Sequence, residues 1–131
     1  MRNTLHFFIA LIATFTLMLS SPQTHAETVE KAKQYIYVLR PVARLHDPKA
    51  WTERDNASVS AHFKRLQEAT ASGKVILAGK TDEPLNKAFG IVIFEASTEA
   101  EAKAFMEADP SVKDGVMTAE LHPYAVALMR K

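Results

Sequence analysis

The chain has 131 residues, with 16 lysines and arginines against 15 aspartates and glutamates, and a net charge of +1. This balanced charge argues against a nucleic-acid partner, because such binding needs a basic face that contacts several phosphates. Cysteine is absent, which excludes disulfide bonds, thiolate catalysis and zinc sites built from thiolates.

The first 26 residues are typical of a secretory signal peptide. Arg2 supplies a positive start, residues 5–19 are almost wholly apolar, and residues 24–26 provide a small-residue cleavage point after Ala26. An uncleaved anchor is the alternative, but an apolar core of about 15 residues is short against the roughly 20 that span a bilayer. Cleavage leaves residues 27–131, which is 105 of the 131 residues and enough for one domain. We therefore expect a periplasmic or secreted protein that no membrane segment retains after cleavage.

The first half of this domain combines a strand and a helix. Residues 34–40 alternate and are rich in β-branched and aromatic side chains, which predicts the first strand. Residues 41–52 show no regular period and are predicted to form an ordered loop. Thr52 and Asp55 have the spacing of a capping box, which predicts the start of a helix that ends at Ala71.

The second half is predicted to contain three more strands and a second helix. The strands are placed at residues 75–78, 89–95 and 116–128. Pro123 interrupts the last of them, as in an edge strand or a bulge. Thr98 and Glu101 form another capping box, and the helix that they begin is predicted to end at the Asp109-Pro110 step.

This order predicts an α+β fold of the ferredoxin-like β-α-β-β-α-β type, with two helices on one face of a four-stranded antiparallel sheet. The other face of the sheet would remain open. Because the strands at residues 75–78 and 90–94 are continuously apolar, that face would expose an apolar patch of the kind that usually forms an interface. A homodimer with the two sheets face to face is the expected partner arrangement.

Two polar residues mark a candidate site. His62 falls on the apolar stripe of the first helix, and Asp109 lies at the end of the second. The alternative for His62 is a partly buried histidine that bonds to the backbone, and the alternative for Asp109 is a common helix-end residue. Spacing alone does not bring the two together.

An ordered set of residues resembles the YCII-related family across residues 34–124. The set comprises His62 and Leu66 in a helix, the Gly73-to-Gly79 segment, the segment from Ser97 to Ala102, and Asp109-Pro110. The resemblance implies the dimeric α+β barrel fold, with His62 and Asp109 facing a cleft. Ser111 follows the Asp-Pro step where the family commonly has a bulky apolar residue, and we expect it to change the wall of the pocket.

These observations lead to two hypotheses of different classes. In the first, the protein binds a small organic molecule, and His62 and Asp109 catalyse proton transfer without a cofactor, in an isomerase, lyase or hydrolase reaction. The alternative is a non-catalytic module for small-ligand binding or dimerisation. A Ser58-His62-Asp109 hydrolase has little support. No ligand spacing points to a metal site at His46 or His122, and a lone helical histidine is weak support for haem, so we expect no cofactor.

Overall fold

The computed structural model describes residues 32–130, so the predicted signal peptide, residues 1–26, lies outside the described residues. The elements in chain order are β1 (Lys33–Pro41), two 3₁₀ turns (Ala43–His46 and Pro48–Ala50), α1 (Glu53–Ala71), β2 (Val75–Lys80), β3 (Gly90–Ala96), α2 (Glu99–Glu107), α3 (Pro110–Lys113) and β4 (Met117–Tyr124).

The four strands form one sheet in the order β2-β3-β1-β4. Every neighbouring pair is antiparallel. The predicted α+β, ferredoxin-like arrangement is confirmed. Pro123 lies within β4, opposite Tyr35, and among the described residues the strand has β1 on one side and no further strand on the other. A residue without an N–H is tolerated at such an edge.

Local sequence signals explain the bounds of α1. The Thr52 side chain accepts a hydrogen bond from the Asp55 N–H, and the Asp55 side chain accepts one from the Thr52 N–H, which completes the predicted capping box. Arg44 of the first 3₁₀ turn makes a bidentate ion pair with the same carboxylate. At the other end, Gly73 has a φ of 82° and turns the chain into β2. The loop before α1 is therefore tied to the helix.

The segment after α2 differs from the prediction. That helix ends at Glu107, and Asp109 does not close it. Asp109 is instead the N-cap of α3, where its side chain accepts a hydrogen bond from the Ser111 N–H and Pro110 occupies the first turn. Both residues are favoured at a helix start, and a proline at the first helical position removes no bonded N–H.

The two faces of the sheet have different environments. Tyr35, Tyr37 and Leu39 of β1 are buried in the core with β3 residues such as Phe94. Alternate residues point to the other face, where Leu77 is 48% exposed. The predicted open, partly apolar face is therefore present in the single chain, and the homodimer stays a prediction.

Candidate functional site

The centre of the site is a contact between His62 and Asp109, which are 47 residues apart in the chain. His62 Nδ1 lies 2.8 Å from Asp109 Oδ1 and 2.7 Å from Oδ2. Asp109 is fully buried, whereas 13% of the His62 side chain is exposed. The structure thus brings together the two residues that the sequence and the resemblance singled out.

Ser58 explains why α3 lies beside His62. It precedes His62 by one helical turn, and its Oγ lies 2.9 Å from the Pro110 carbonyl oxygen and 2.8 Å from Asp114 Oδ2. Both acceptors belong to α3 or its C-cap. The hydroxyl therefore holds α3 against the face of α1 that carries His62. Ser58 has a structural role and is not aligned as a nucleophile.

The Asp109 carboxylate accepts several further hydrogen bonds. The Tyr37 hydroxyl donates to Oδ2 at 2.9 Å, and Ser111 donates to Oδ1 from its N–H at 3.0 Å and from its Oγ at 2.7 Å. Burial would raise the pKa of Asp109, but the hydrogen bond and positive charge of His62, with the bonds from Ser111 and Tyr37, hold it below the ordinary value. Asp109 is therefore an anion that orients its neighbours.

Tyr37 is held as a neutral donor. Burial raises the pKa of its phenol, and the negative charge of Asp109 raises it further. The hydroxyl therefore stays protonated and donates a hydrogen bond to the Asp109 carboxylate. Tyr37 is fully buried, so it holds the Asp109 carboxylate from the core side and does not contact a ligand.

Arg65 adds a positive charge one turn after His62. Its Nη1 lies 3.9 Å from Asp109 Oδ2, and Nη2 donates to the Phe105 carbonyl oxygen at 2.8 Å. The guanidinium carbon lies 4.1 Å from the centroid of the Phe105 ring. Nη1 is buried and has no hydrogen-bond partner within residues 32–130. Arg65 thus acts on Asp109 through charge alone, held at a distance by Phe105.

The geometry fixes the tautomer of His62. An ionised carboxylate can only accept hydrogen bonds, so Nδ1 donates and, in the neutral ring, Nε2 carries the lone pair. Nε2 has no hydrogen-bond partner in the part of the chain that the structure describes. His62 also lines a cleft. The site therefore offers an oriented acceptor to whatever the cleft holds.

The cleft has a volume of about 940 Å³ and separates α1 from the end of the sheet that carries β2 and β3. Small side chains leave this space. Ala78 pairs with Val92, and Gly90 pairs with Lys80 on one side and with Leu39 on the other. Because paired residues point to the same face of a sheet and Val92 and Leu39 are buried in the core, Ala78 and Gly90 lie on the helix-facing side. A Cβ on Gly90 would meet the Gly79 carbonyl oxygen at 3.4 Å and the Leu39 side chain at 3.8 Å. Neither residue fills the gap below α1, so the gap remains open to a ligand.

The predicted loop forms one wall of the cleft. Pro41 and Trp51 line it, and the Trp51 indole N–H donates to the Leu45 carbonyl oxygen at 3.0 Å. Leu45 is fully buried and anchors this segment. The only tryptophan of the chain is therefore held in a fixed orientation beside the ligand space.

Comparison with protein families supports the assignment suggested by these residues. The model of the YCII-related domain matches residues 40–121, a span that includes both His62 and Asp109. The chain belongs to the YCII-related family. A search of curated proteins found no match.

Other aromatic and basic residues of this YCII-related domain differ in whether they reach the cleft. Trp51 and Phe89 line the cleft, whereas Tyr35, Tyr37 and Phe94 belong to the core. Three arginines near this end of the molecule do not line the cleft: Arg40, Arg44 and Arg54. Ser111 is buried against Asp109 and is not among the residues that line the cleft.

His46 and His122 remain apart from the dyad. His46 lies 3.3 Å from the Pro41 carbonyl oxygen, and His122 lies 3.6 Å from a Glu120 carboxylate oxygen on the open face. Within residues 32–130, no group of three or more histidine, aspartate or glutamate residues has the arrangement of a metal site. In the same range, no helix is both long and apolar enough to cross a bilayer.

Sequence reasoning missed three functional neighbours of Asp109, namely Tyr37, Arg65 and Ser111. Tyr37 follows the ordinary alternation of a core strand, so only its hydroxyl distinguishes it. Arg65 has a usable signal, because residues three apart on a helix share a face and Arg65 follows His62 by three. Ser111 lies two residues after an N-cap aspartate, where the backbone N–H is expected to bond to that side chain.

Proposed function

We propose that this YCII-related domain binds a small organic molecule in the cleft and transfers a proton through His62, with no cofactor. The observation that carries the proposal is that the two ring nitrogens of His62 have different surroundings. Nδ1 bonds to the buried Asp109 carboxylate, while Nε2, in a residue that lines the cleft, has no hydrogen-bond partner among residues 32–130. A base needs a fixed ring and a free acceptor.

In the proposed step, His62 Nε2 takes a proton from an acidic C–H or O–H group of the ligand. The electron pair of that bond stays on the ligand, and the ring becomes an imidazolium whose charge Asp109 stabilises. Return of the same proton to another ligand atom gives isomerisation, and its transfer to a leaving group gives elimination. Activation of a water molecule by the same base gives hydrolysis of an activated substrate.

A non-catalytic ligand-binding module is the second candidate. The observation that favours it is the apolar character of the cleft, where residues such as Leu39, Leu66 and Phe89 surround His62. Such a site can hold a ligand through burial of apolar surface alone. In that case the protein would show no turnover that depends on His62, and a His62 substitution would only weaken ligand binding.

Hydrolysis of 4-nitrophenyl acetate and 4-nitrophenyl octanoate tests the choice, because both esters release a coloured product when a base activates water or when the ring itself attacks. We expect faster turnover of 4-nitrophenyl octanoate than of 4-nitrophenyl acetate, because the octanoyl chain can fill the cleft. His62→Gln should lower it by at least about 100-fold, the usual contribution of a positioned base. The matched change His46→Gln, at an exposed histidine outside the cleft, should leave it unchanged.

Equal rates in wild type and His62→Gln would contradict the catalytic proposal. Circular dichroism and thermal unfolding must show that His62→Gln is folded. Retained binding of an apolar ligand together with a lack of His62-dependent turnover would favour the non-catalytic module.

We also propose a homodimer that pairs the open faces of two sheets. Leu77 is 48% exposed and lies opposite Ile93 on that face, and a large charged side chain at this point would oppose burial. Sedimentation should find a dimer in wild type and a monomer in Leu77→Lys, while Phe63→Lys, on the opposite side of the sheet, should remain dimeric. A monomeric wild type would contradict the pairing.

Export is the remaining proposal. The charged start, apolar core and small residues before Glu27 support a signal peptide in residues 1–26. Mass spectrometry of the protein from cells should find Glu27 as the first residue. Recovery of the intact N-terminus from the cytoplasm would contradict export.

A further inference from the structure

Lys80 is a cation on the wall of the cleft opposite His62. It is the last residue of β2 and pairs with Gly90, which in turn pairs with Leu39. Paired residues in a sheet point to the same face, and Leu39 is buried in the core on the helix-facing side. Lys80 therefore lies on the helix-facing side of its strand, and it lines the cleft.

Lys80 and His62 lie at the same end of the cleft. β2 follows α1 after a short turn at Gly73 and runs back along it. His62 is nine residues before the end of α1 at Ala71, which is about 14 Å along the helix axis at the usual rise. Lys80 is five residues after Val75, but a register shift between Val75 and Leu77 makes this interval match the four steps from Phe94 to Gly90 on β3, which is about 13 Å along the strand. His62 and Lys80 therefore lie at a similar distance from the turn that joins α1 to β2.

The remaining lining residues are distributed unequally. The lower part of the cleft, toward Ala71, is bordered by uncharged side chains such as Leu66 and Thr70, and by Ala78. The ionisable side chains that line the cleft are His62, Lys80 and Glu83. The Lys80 side chain has neither an ion pair nor a hydrogen bond within residues 32–130. A cation without a partner beside an apolar space is suited to a ligand that carries an anionic head and an apolar body.

We infer that the ligand of this cleft is a small organic anion, with a carboxylate or equivalent acidic group paired to Lys80 and an apolar body directed along α1 toward Ala71. The inference rests on the proposed function, because it assigns the substrate class of the same site. Pairing at Lys80 would place the part of the ligand next to the acidic group beside His62 Nε2, where a proton can be transferred. Glu83 opposes the anion and limits its affinity.

Octanoate, octanamide and octylamine test the inference, because they share one chain and differ in the charge of the head. Binding to the purified protein is followed by the fluorescence of Trp51, the only tryptophan and a residue of the cleft wall. We expect octanoate to bind at least about tenfold more tightly than octanamide, as a charge-assisted hydrogen bond predicts. Octylamine should bind more weakly than either.

Variants locate the preference. Lys80→Met should bring the affinity for octanoate down to that for octanamide and leave octanamide binding unchanged. Glu83→Gln should strengthen octanoate binding. Lys64→Met is the matched control, since Lys64 is an exposed lysine of α1 outside the cleft, and it should change neither ligand.

Equal affinity for octanoate and octanamide would overturn the inference, and so would a preference for octanoate that persists in Lys80→Met. Absence of octanoate binding at millimolar concentration would overturn it as well. The ester assay decides the proposed function separately, because neutral esters report on His62 without Lys80. Octanoate binding that persists in His62→Gln, with ester hydrolysis lost, would support both.

Discussion

Replacing Asp109 by asparagine should reverse the tautomer of His62. Oδ1 accepts from the N–H and Oγ of Ser111, so the amide oxygen of the variant should occupy that position. The amide NH₂ then takes the place of Oδ2, where it faces His62 Nδ1 and the Tyr37 hydroxyl. The oxygen at the Oδ1 position also lies 2.8 Å from Nδ1 but already accepts two hydrogen bonds from Ser111. A donor 2.7 Å from Nδ1 therefore favours an accepting Nδ1, and the ring proton then moves to Nε2.

The size of the effect follows from the bonds at Oδ2. His62 and Tyr37 each lose a charge-assisted hydrogen bond and gain a neutral one, a difference of roughly 1 kcal/mol each, or about 2 kcal/mol in total. For a domain of this size, 1 kcal/mol shifts the melting temperature by about 4–8 °C, so a fall of roughly 8–16 °C is expected. The variant remains folded, but Nε2 no longer offers a lone pair to the cleft.

Long-range ¹H–¹⁵N NMR of the histidine ring distinguishes the two tautomers. We expect the lone pair on Nε2 of the neutral ring in wild type and on Nδ1 in Asp109→Asn. Asp47→Asn serves as the control, because Asp47 is an exposed N-cap that bonds to the Lys49 N–H and not to a histidine. An unchanged tautomer in Asp109→Asn would show that the Asp109 carboxylate does not set the position of the His62 ring proton.

Three further predictions concern stability and the cleft. The pKa of Asp109 is lower in the folded protein than its ordinary value, so the ionised carboxylate stabilises the fold fully above the unfolded pKa of about 3.9, and this stabilisation is lost as pH falls through the folded pKa. In urea unfolding, the free energy of unfolding should therefore fall less on acidification in Asp109→Asn than in wild type. Thr52→Ala removes the N-cap of α1 and should cost about 1 kcal/mol in urea unfolding; no change would show that the cap is dispensable. Gly90→Leu should fill the cleft and abolish octanoate binding measured by Trp51 fluorescence, and unchanged binding in this variant would contradict the placement of the ligand in the cleft.

The sequence predicted the fold well because its signals are local. The capping box at Thr52 and the alternation in β1 each report on neighbouring residues only. The start of α3 was also locally encoded, by Asp109 at the N-cap and Pro110 at the first position. It was overlooked because a helix of four residues is too short to show an apolar period.

The site was less predictable because its parts are distant in the chain. His62 and Asp109 both stood out in the sequence, but only the family resemblance implied that they face one cleft. The cleft depends on Ala78 and Gly90 having small side chains on the same side of the sheet, and this requires the pairing register of β2 and β3. The role of Arg65 depends on Phe105 holding its guanidinium, which no spacing reveals.

His62 presents an Nε2 lone pair, oriented by Asp109, to the cleft, and chemical modification tests this most directly. Diethyl pyrocarbonate acylates such nitrogens, and mass spectrometry resolves the rate at each histidine, with His46 and His122 as internal references. We expect His62 to be modified in wild type and its rate to fall in Asp109→Asn, while the two reference rates stay the same. A His62 that resists modification in wild type, or that reacts equally fast in Asp109→Asn, would contradict it.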